Sequence, residues 1–338
     1  MTTIIAIGDI HIKLDNITDI QLLIQNIEKE IVARNPDAII LLGDILHTHE
    51  RIHTTCLNQA EQLFKMCSNY VPTYILVGNH DYISNSQFLS ENHWMNPFKF
   101  WKNITIVDKV TPFFINENHF VACPYVPDGR MVEALNTHPE WNSASMIFGH
   151  QSLNGVKMGA ITMENVEEWC VNYPFLCSGH IHDKQRVQPN LYYTGTPMQH
   201  AYGEKHNKTI SIFTVEDNKI ISHEEVDLKV SVKRIEYITV EQAYTYNLKI
   251  NPHETVRLTI KGKKEECITF KKTPAYQSLH KLAKIVFDEI EGYEKNTEEV
   301  TTTFHEVLYS KIQSHYFLTK LYKQYASVPH NTDIQFLL

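Results

Sequence analysis

The chain has 338 residues, 43% of them hydrophobic and 21% charged, which suits a globular protein with a large core and room for a second, smaller domain. Its formal net charge of −8 at pH 7 argues, taken alone, against a nucleic-acid partner. No apolar run approaches the roughly eighteen residues of a membrane span, and no basic segment precedes the first run, so we expect neither a membrane partner nor a signal peptide. The cysteines form no C-x-x-C pair, so we expect reduced thiols in a cytoplasmic protein.

The first hundred residues alternate between strand-like runs and helical spacing. Apolar residues recur at intervals of three and four over 16–34 and 55–68, which predicts two helices, and continuous Ile/Leu/Val runs lie before, between and after them. This β-α-β-α-β order predicts strands joined by crossovers, with helices on the faces of the sheet. Residues 82–103 are irregular and rich in aromatic side chains, which predicts a loop or helix packed over the core.

The rest of the chain is mostly strand-like. The predicted strands cover 104–107, 113–115, 119–123, 191–194, 209–215, 219–226, 231–238 and 255–261. The predicted helices cover 131–135, 276–291 and 298–325. We place a soft domain boundary after residue 228, because residues 1–228 carry 15 Lys/Arg against 26 Asp/Glu and residues 229–338 carry 16 against 13. The basic second domain either meets a phosphate backbone or has an ordinary solvated surface.

One short pattern occurs five times: an apolar run ends in Gly, and the next residue is a potential metal ligand. The junctions are Gly8-Asp9, Gly43-Asp44, Gly78-Asn79, Gly149-His150 and Gly179-His180. Apolar runs of this kind predict strands buried on both faces, and the glycine permits a sharp turn at the strand end. A single Gly-Asp or Gly-His is more often a turn than a ligand, but five together predict that these side chains gather at one edge of the strand layer.

The ligand types and their spacing predict a site for two metal ions. Asp9 and His11 are two residues apart, as are His180 and His182, so on extended backbone each pair points to one side. Mixed oxygen and imidazole ligands suit manganese, iron or zinc better than calcium. Seven ligands, including Asn79 and His150, exceed what one ion takes, so we expect two divalent ions bridged by Asp44, with Mn²⁺ preferred and Fe²⁺, Zn²⁺ or Mg²⁺ as alternatives.

Five motifs in chain order carry a family resemblance. They are G-D-I-H at 8–11, G-D at 43–44, G-N-H-D at 78–81, G-H at 149–150 and G-H-I-H at 179–182. Together they resemble the motif set of the calcineurin-like metallophosphoesterases, over residues 4–215. The resemblance implies an α/β (α+β) fold: a four-layer β-sandwich flanked by helices, with a small C-terminal α/β cap domain.

The resemblance also divides the ligands. It implies that one ion is held by Asp9, His11 and His182, that the other is held by Asn79, His150 and His180, and that Asp44 bridges them. It further implies that His80 faces the phosphate without binding metal, and Asp81 is either an orienter of His80 or a capping residue. The implied chemistry is in-line attack on phosphorus by a hydroxide formed between the ions, with His80 stabilising the phosphate or protonating the departing oxygen.

More specific motif matches within the superfamily indicate the substrate. Protein Ser/Thr phosphatases of the superfamily carry an Arg soon after the bridging Asp, and the G-D-I-L-H sequence at 43–47 has none. This sequence, with G-N-H-D at 78–81 and the later Y-T-G-T-P…Y-G-E at 193–204, is similar to the DNA double-strand-break nucleases of the SbcD type. By that similarity His47 lies near the scissile phosphate, the alternative being an ordinary loop histidine. Tyr125 and His200 are further cleft candidates, with plain packing as the equal alternative.

The similarity to SbcD-type nucleases predicts a DNA exonuclease or endonuclease of DNA repair, whose cap region at 229–338 guides DNA. The predicted C-terminal helices would dock an SMC-like coiled-coil ATPase, form part of the cap, or form a homodimer surface. Two alternatives remain open: a phosphodiesterase of nucleotides or other small diesters, and a scaffold that only binds DNA or the ATPase.

Overall fold

The computed structural model describes residues 1–49, 51–159 and 161–290, together with residues 309, 311–312, 318–320 and 322. The chain divides into two compact units, Met1–Glu289 and Ile290–Leu338. The described residues from 309 onward are helical. The remainder of the predicted helix over 298–325 lies outside the described residues.

The strands are short, and most of them come from the first unit. They are β1 (Thr2–Ile7), β2 (Ala38–Leu41), β3 (Thr73–Leu76), β4 (Ile104–Val107), β5 (Thr111–Ile115), β6 (Asn118–Ala122), β7 (Met146–His150), β8 (Lys157–Met158), β9 (Ile161–Thr162), β10 (Phe175–Gly179), β11 (Gln185–Gln188), β12 (Leu191–Tyr193), β13 (Ile210–Glu216), β14 (Lys219–Val226), β15 (Val232–Thr239), β16 (Glu254–Lys263) and β17 (Lys284–Ile290). The α-helices are α1 (Ile17–Arg34), α2 (Thr54–Tyr70), α3 (Met131–Leu135), α4 (Val240–Ala243), α5 (Lys264–Phe270) and α6 (Pro274–Leu282).

Two six-stranded sheets form the centre of the first unit, in the orders β14-β13-β1-β2-β3-β4 and β11-β12-β10-β7-β6-β5. Their facing sides share one apolar cluster, to which Ile4 and Ile40 contribute from the first sheet and Phe120 and Phe148 from the second. Helices α1 and α2 cover the outer face of the first sheet, and α3 with neighbouring loops covers that of the second. The expected α/β fold with a β-sandwich flanked by helices is confirmed.

Strand β1 shows why the sequence forms this arrangement. Ile4 and Ala6 face the second sheet, whereas Ile5 and Ile7 face the helices. Because successive side chains of a strand point to opposite faces, a strand covered on both sides must be apolar at every position. Strand β1 pairs in parallel with β2 and antiparallel with β13, so it lies in the middle of its sheet.

The aromatic-rich segment 82–103 is irregular apart from a 3-10 turn at Asn96–Phe100. It packs on α2, where the Phe64 ring lies 5.9 Å from that of Trp94 and 5.1 Å from that of Phe98. The prediction of a loop packed over the core is therefore confirmed for this segment.

The predicted helix over 276–291 is wrong in its second half. Helix α6 ends at Leu282, and β17 then joins the three-stranded sheet β15-β16-β17. Ile285 and Phe287 both pack against the core of this sheet, with the spacing of two that a strand requires. Pairing with a strand twenty or more residues earlier decides the conformation here, and spacing within the segment does not reveal it.

The three-stranded sheet has a core of its own, which includes Val256, Leu258 and Phe270. It begins close to the predicted boundary after residue 228 but belongs to the same compact unit as the sandwich. Lys233 joins the two parts, since its Nζ donates to the Gln199 carbonyl at 2.8 Å. A separate cap domain over 229–338 therefore stays a prediction.

None of the described helices is long and apolar enough to cross a membrane. The six cysteines are all free, and Cys170 is exposed while the others are buried. The cytoplasmic location stays a prediction.

The close approach of Gly8 to a distant loop generates a stability prediction. A Cβ at Gly8 would lie 2.0 Å from the Gly195 carbonyl oxygen, whereas a Cβ at Gly149 would lie 3.1 Å from the side-chain ends of Leu176 and Met131. We expect Gly8→Ala to lower the free energy of unfolding by at least about 3 kcal/mol, because backbone must move, and Gly149→Ala to lower it by about 1 kcal/mol.

Urea denaturation followed by circular dichroism measures both variants. If Gly8→Ala is no less stable than Gly149→Ala, the close approach of the Gly195 carbonyl does not constrain position 8.

Candidate metal centre

The predicted ligands lie where both sheets end. Strands β1, β2 and β3 run parallel in the first sheet, and β7 and β10 run parallel in the second. The loops that follow all five strands meet at one end of the sandwich. The sequence predicted one strand layer, but two sheets contribute, three junctions from one and two from the other.

Three of the predicted ligands have left-handed backbone: φ is 45° at His11, 51° at Asp44 and 78° at His180. This conformation costs a non-glycine residue about 1–2 kcal/mol, and such strain is retained where side-chain position matters. The His11 amide donates to the Asp44 carbonyl at 2.9 Å, which joins the loops after β1 and β2. The strained residues are therefore held by the backbone as well as by their side chains.

Four donors form what we call the Asn79 group: Asp44, Asn79, His150 and His180. Ligand atoms of Asp44, His150 and His180 lie within 4.8 Å of one another. The Asn79 Oδ1 lies 3.0 Å from His150 Nε2 and 2.8 Å from His180 Nδ1. His150 Nδ1 lies 2.6 Å from the Leu42 carbonyl oxygen, so it is the protonated nitrogen and Nε2 is the one that faces the group.

The other donors form what we call the Asp9 group: Asp9, His11, His182 and again Asp44. The Nε2 atoms of His11 and His182 are 2.9 Å apart. Asp9 Oδ1 accepts a hydrogen bond from the His180 amide at 2.8 Å. The two groups meet at Asp44, whose Oδ1 lies 3.3 Å from His150 Nε2 and whose Oδ2 lies 3.5 Å from His11 Nε2.

Burial keeps two of these imidazoles neutral. It lowers the pKa of His11 well below its ordinary value and that of His180 to about 3. At His150 the effect of burial is outweighed by the Asp44 carboxylate, which raises the His150 pKa to about 9. In turn, His150 and His11 overcome the effect of burial on Asp44 and hold its pKa well below the ordinary value. His11 and His180 are therefore neutral, the form of imidazole that ligates metals, whereas His150 must release a proton when an ion binds.

The residues fit divalent cations. Asp9 Oδ2 is buried and has no hydrogen-bond partner among the described residues. A buried carboxylate oxygen is costly unless a donor or cation is next to it, and burial raises the pKa of Asp9 accordingly. Oxygen and imidazole donors grouped around one shared carboxylate suit divalent transition ions.

His80 and His47 lie at the open side of the Asp9 group. The His80 ring is 4.9 Å from the His11 ring, and its Nδ1 donates to the His47 carbonyl at 2.8 Å. His47 is exposed, and its Nδ1 lies 3.5 Å from His11 Nδ1. Ligand atoms of all three histidines lie within 4.8 Å of one another. Both predicted catalytic histidines therefore adjoin the predicted ligands.

A family model described as Calcineurin-like phosphoesterase matches residues 2–184. The chain belongs to this family. Calcineurin-like phosphoesterases hydrolyse phosphoesters with divalent metal ions, so the clustered Asp and His side chains form a candidate metal site of a known kind.

Two viral proteins are similar over most of the chain. Putative phosphoesterase 078R of Invertebrate iridescent virus 3 is 42% identical over 283 residues, which cover 82% of this chain and 81% of that protein. Putative phosphoesterase 244L of Invertebrate iridescent virus 6 is 39% identical over 274 residues, which cover 80% of this chain and 97% of that protein. Among solved structures, the phosphoesterase Yfce from E. coli is 13% identical, with a TM-score of 0.33, over 66% of this chain and 98% of that chain.

Asp81 contacts backbone amides and the indole of Trp94. Its buried carboxylate accepts hydrogen bonds from the amides of Ile45 at 3.2 Å and Gly78 at 3.1 Å and from the Trp94 indole at 3.0 Å. Burial and the nearby Asp44 raise its pKa to about 7. Asp81 therefore anchors the loop that follows Asp44 to the turn that carries Asn79, and its role as an orienter of His80 stays a prediction.

His200 and Tyr125, the further cleft candidates, both lie next to predicted ligands. The His200 ring lies 5.2 Å from that of His11, and its Nε2 donates to the Asp9 carbonyl at 3.0 Å. The Tyr125 ring lies 5.7 Å from that of His180. Both residues lie beside the metal centre. Neither belongs to a strand-Gly junction, which is the sequence pattern that identified the predicted ligands.

An open cleft of about 770 Å³ adjoins the centre. It is lined by His180 and His182, by the β8–β9 residues Lys157 and Met158, and by Tyr202, among others. A cleft of this size admits a small molecule or a few units of a polymer.

The contacts of Asp81 predict how its loss acts. Asp81→Ala leaves the Ile45 and Gly78 amides and the Trp94 indole without an acceptor, so we expect the free energy of unfolding to fall by about 2–4 kcal/mol. Trp94→Phe removes one donor and keeps the ring, so it should cost about 1 kcal/mol.

Thermal unfolding monitored by calorimetry tests both variants. Loss of hydrolytic activity in Asp81→Ala with an unchanged unfolding temperature would contradict the anchoring role and favour Asp81 as an orienter of His80.

Proposed function

We propose that this protein is a two-metal phosphodiesterase that cleaves DNA, in the manner of the SbcD-type nucleases. The family supplies the general activity, metal-dependent hydrolysis of phosphoesters. The observation that supports two ions is the Asp44 carboxylate, because one of its oxygens faces the Asn79 group and the other faces the Asp9 group. A carboxylate shared in this way is what a bridged pair of cations needs.

In this proposal, the Asp9 group holds one ion and the Asn79 group holds the other. When bound, the two cations supply Lewis acidity, which activates water and neutralises charge on the phosphate. The chain itself fixes the ligands: the His180 amide holds Asp9 Oδ1, and the Leu42 carbonyl fixes the His150 tautomer. Second hydrogen bonds of this kind set the orientation and basicity of metal ligands.

His80 is the proposed catalytic residue that binds no metal. Because its Nδ1 donates to the His47 carbonyl, the Nε2 atom is left to meet the phosphate. In the neutral ring Nε2 is an acceptor, and in the imidazolium it donates a proton or hydrogen bond to a phosphate or leaving oxygen. His47, exposed beside His11, is proposed to contact the phosphate from the same side.

The substrate assignment is supported by the sequence around Asp44 and by the cleft. No Arg follows Asp44 in the G-D-I-L-H sequence, so the phosphate-monoester clamp of protein phosphatases is missing at that position. Lys157 and Lys205 line the cleft beside His180 and His182, and cations there favour a phosphate-bearing substrate. The SMC-like ATPase and homodimer partners stay predictions, because most of the segment assigned to them lies outside the described residues.

A small phosphodiester, such as a nucleotide, is the second candidate substrate. The volume of the cleft, about 770 Å³, lies in the range of small-molecule sites. Asp183 and Glu204 also line it, and they oppose a long polyanion more than a single phosphodiester.

The test is hydrolysis of end-labelled linear duplex DNA with Mn²⁺, with Mg²⁺ and with chelator, run beside a small chromogenic phosphodiester. We expect Mn²⁺-dependent DNA cleavage, reduced at least about 100-fold by His80→Gln, since general acid-base groups contribute about 10²–10⁴-fold. His206→Gln, at an exposed histidine that is not among the predicted ligands, is the control and should be unaffected.

If the protein cleaves the small diester and leaves DNA intact, the proposed substrate becomes a small phosphodiester instead of DNA. Absence of hydrolysis of either, with metal bound, would overturn the proposal.

The metal content distinguishes the two groups. We expect two Mn²⁺ per chain in the wild type, one in Asn79→Ala and one in His182→Ala, because each substitution removes a ligand of a single group. Asp44→Ala should weaken both ions. Elemental analysis after gel filtration measures this, with His206→Ala as control, and equal loss in all three ligand variants would argue against two separable ions.

A further inference from the structure

The ring of His80 is stacked against those of two other histidines. The His49 ring lies 4.6 Å from it with an angle of 22° between the ring planes, and the His47 ring lies 5.5 Å from it with an angle of 11°. Both rings are therefore close to parallel with the ring of His80. His49 belongs to neither ligand group, and neither the family motifs nor the proposed chemistry assigns it a role.

Hydrogen bonds restrain His80 only in part. Its backbone amide donates to Asp44 Oδ1 at 2.9 Å, and its Nδ1 donates to the His47 carbonyl at 2.8 Å. These two bonds fix the backbone and one ring atom. A ring held at one atom can still tilt about that point, so the faces of the ring need a separate restraint. The stacked rings of His47 and His49 provide it.

The loop after Asp44 is built to present both rings. His47 and His49 are two residues apart in this loop, and both rings pack against His80. The His47 amide donates to the Ile12 carbonyl at 3.2 Å, and Thr48 Oγ1 donates to the Arg51 carbonyl at 2.8 Å. The loop is thus anchored on both sides of His49.

His49 gains little from polar contacts of its own. It is half-buried, and its Nδ1 is buried without a hydrogen-bond partner among the residues that the structure describes. A buried imidazole nitrogen without a partner is unfavourable, so packing against His80 is the contact that accounts for the position of the ring.

We infer that His49 is a positioning residue, whose ring holds His80 in the orientation in which Nε2 faces the metal centre. This inference rests on the proposed catalytic role of His80. Without the ring of His49, the His80 side chain tilts away for part of the time, and the fraction of molecules ready for the chemical step falls. Metal binding does not depend on that fraction, because His80 is not among the proposed ligands.

The expected effect follows from the strength of aromatic stacking, which corresponds to a change of about 2-fold to 10-fold. We expect His49→Ala to lower kcat by that factor, with metal content unchanged. We expect His49→Phe, which keeps a flat ring and removes both nitrogens, to restore kcat to within about 2-fold of the wild type. His53→Ala is the matched control, because His53 lies in the same loop and caps α2 through the Thr55 amide.

A double-mutant cycle shows whether His49 acts through His80. In the His80→Gln background, His49→Ala should have no further effect on kcat, since the ring to be positioned is gone. Independent, multiplying effects would overturn the inference, as would a His49→Phe variant as slow as His49→Ala or a His49→Ala variant as fast as the wild type.

A second measurement does not need activity. In protein labelled with ¹³C-histidine, the His80 ring resonances, assigned from the His80→Gln spectrum, should shift in His49→Ala and not in His53→Ala. Unshifted resonances would overturn the inference even if the wild type hydrolyses no phosphodiester. A wild type without hydrolysis, but with shifted resonances in His49→Ala, would overturn the proposed function and leave the stacked ring in place.

Discussion

The carboxylate of Asp44 is fully buried, and its burial must be compensated by its surroundings. His150 and His11 approach its two oxygens, and the His80 amide donates to Oδ1, so the charge is shared among elements from both sheets. The approach is possible because Gly78 has no side chain, since a Cβ there would lie 2.3 Å from Asp44 Oδ1. One arrangement therefore includes the left-handed backbone at Asp44, the turn at Gly78 and the two ligand groups. The geometry of each part depends on the others.

The loop that follows Asp44 connects this buried arrangement to the open side of the site. Asp81 holds the beginning of the loop through the Ile45 amide, and His47 uses its carbonyl to orient His80 and its ring to approach His11. The same few residues thus connect the buried carboxylate to the exposed histidines. A change in the loop would affect both the buried carboxylate and the exposed histidines. The hydrogen bonds of the loop are therefore as important to the site as the ligands themselves.

Much of the fold, and the gathering of the candidate ligands at one end of the sandwich, could be predicted from the sequence because the signals are local. An apolar run that ends in Gly and a ligand residue marks a strand end without reference to the rest of the chain, and the spacing in α1 marks a helix in the same way. What depends on distant pairing was missed: β17 was predicted as helix because β16, its partner, cannot be read from the segment itself. The contacts of Asp81 were missed for a similar reason, since its donors Ile45 and Trp94 lie 36 and 13 residues away. The stacking of His49 on His80 joins two loops 31 residues apart and has no sequence signal beyond a pair of histidines.

Strand β1 has consequences for how the protein acquires this site. Thr2 pairs with Val215, and the Gly195 carbonyl packs directly on Gly8, so the first strand is completed by segments made about two hundred residues later. During synthesis on the ribosome, β1 can pair with β2 early, but its other edge stays open until β13 emerges. Contacts of such long range slow folding and expose unpaired strand edges while the chain grows. If synthesis stops before β13, the chain already contains Asp9 and Asp44, but the strand arrangement that positions these two ligands cannot be completed.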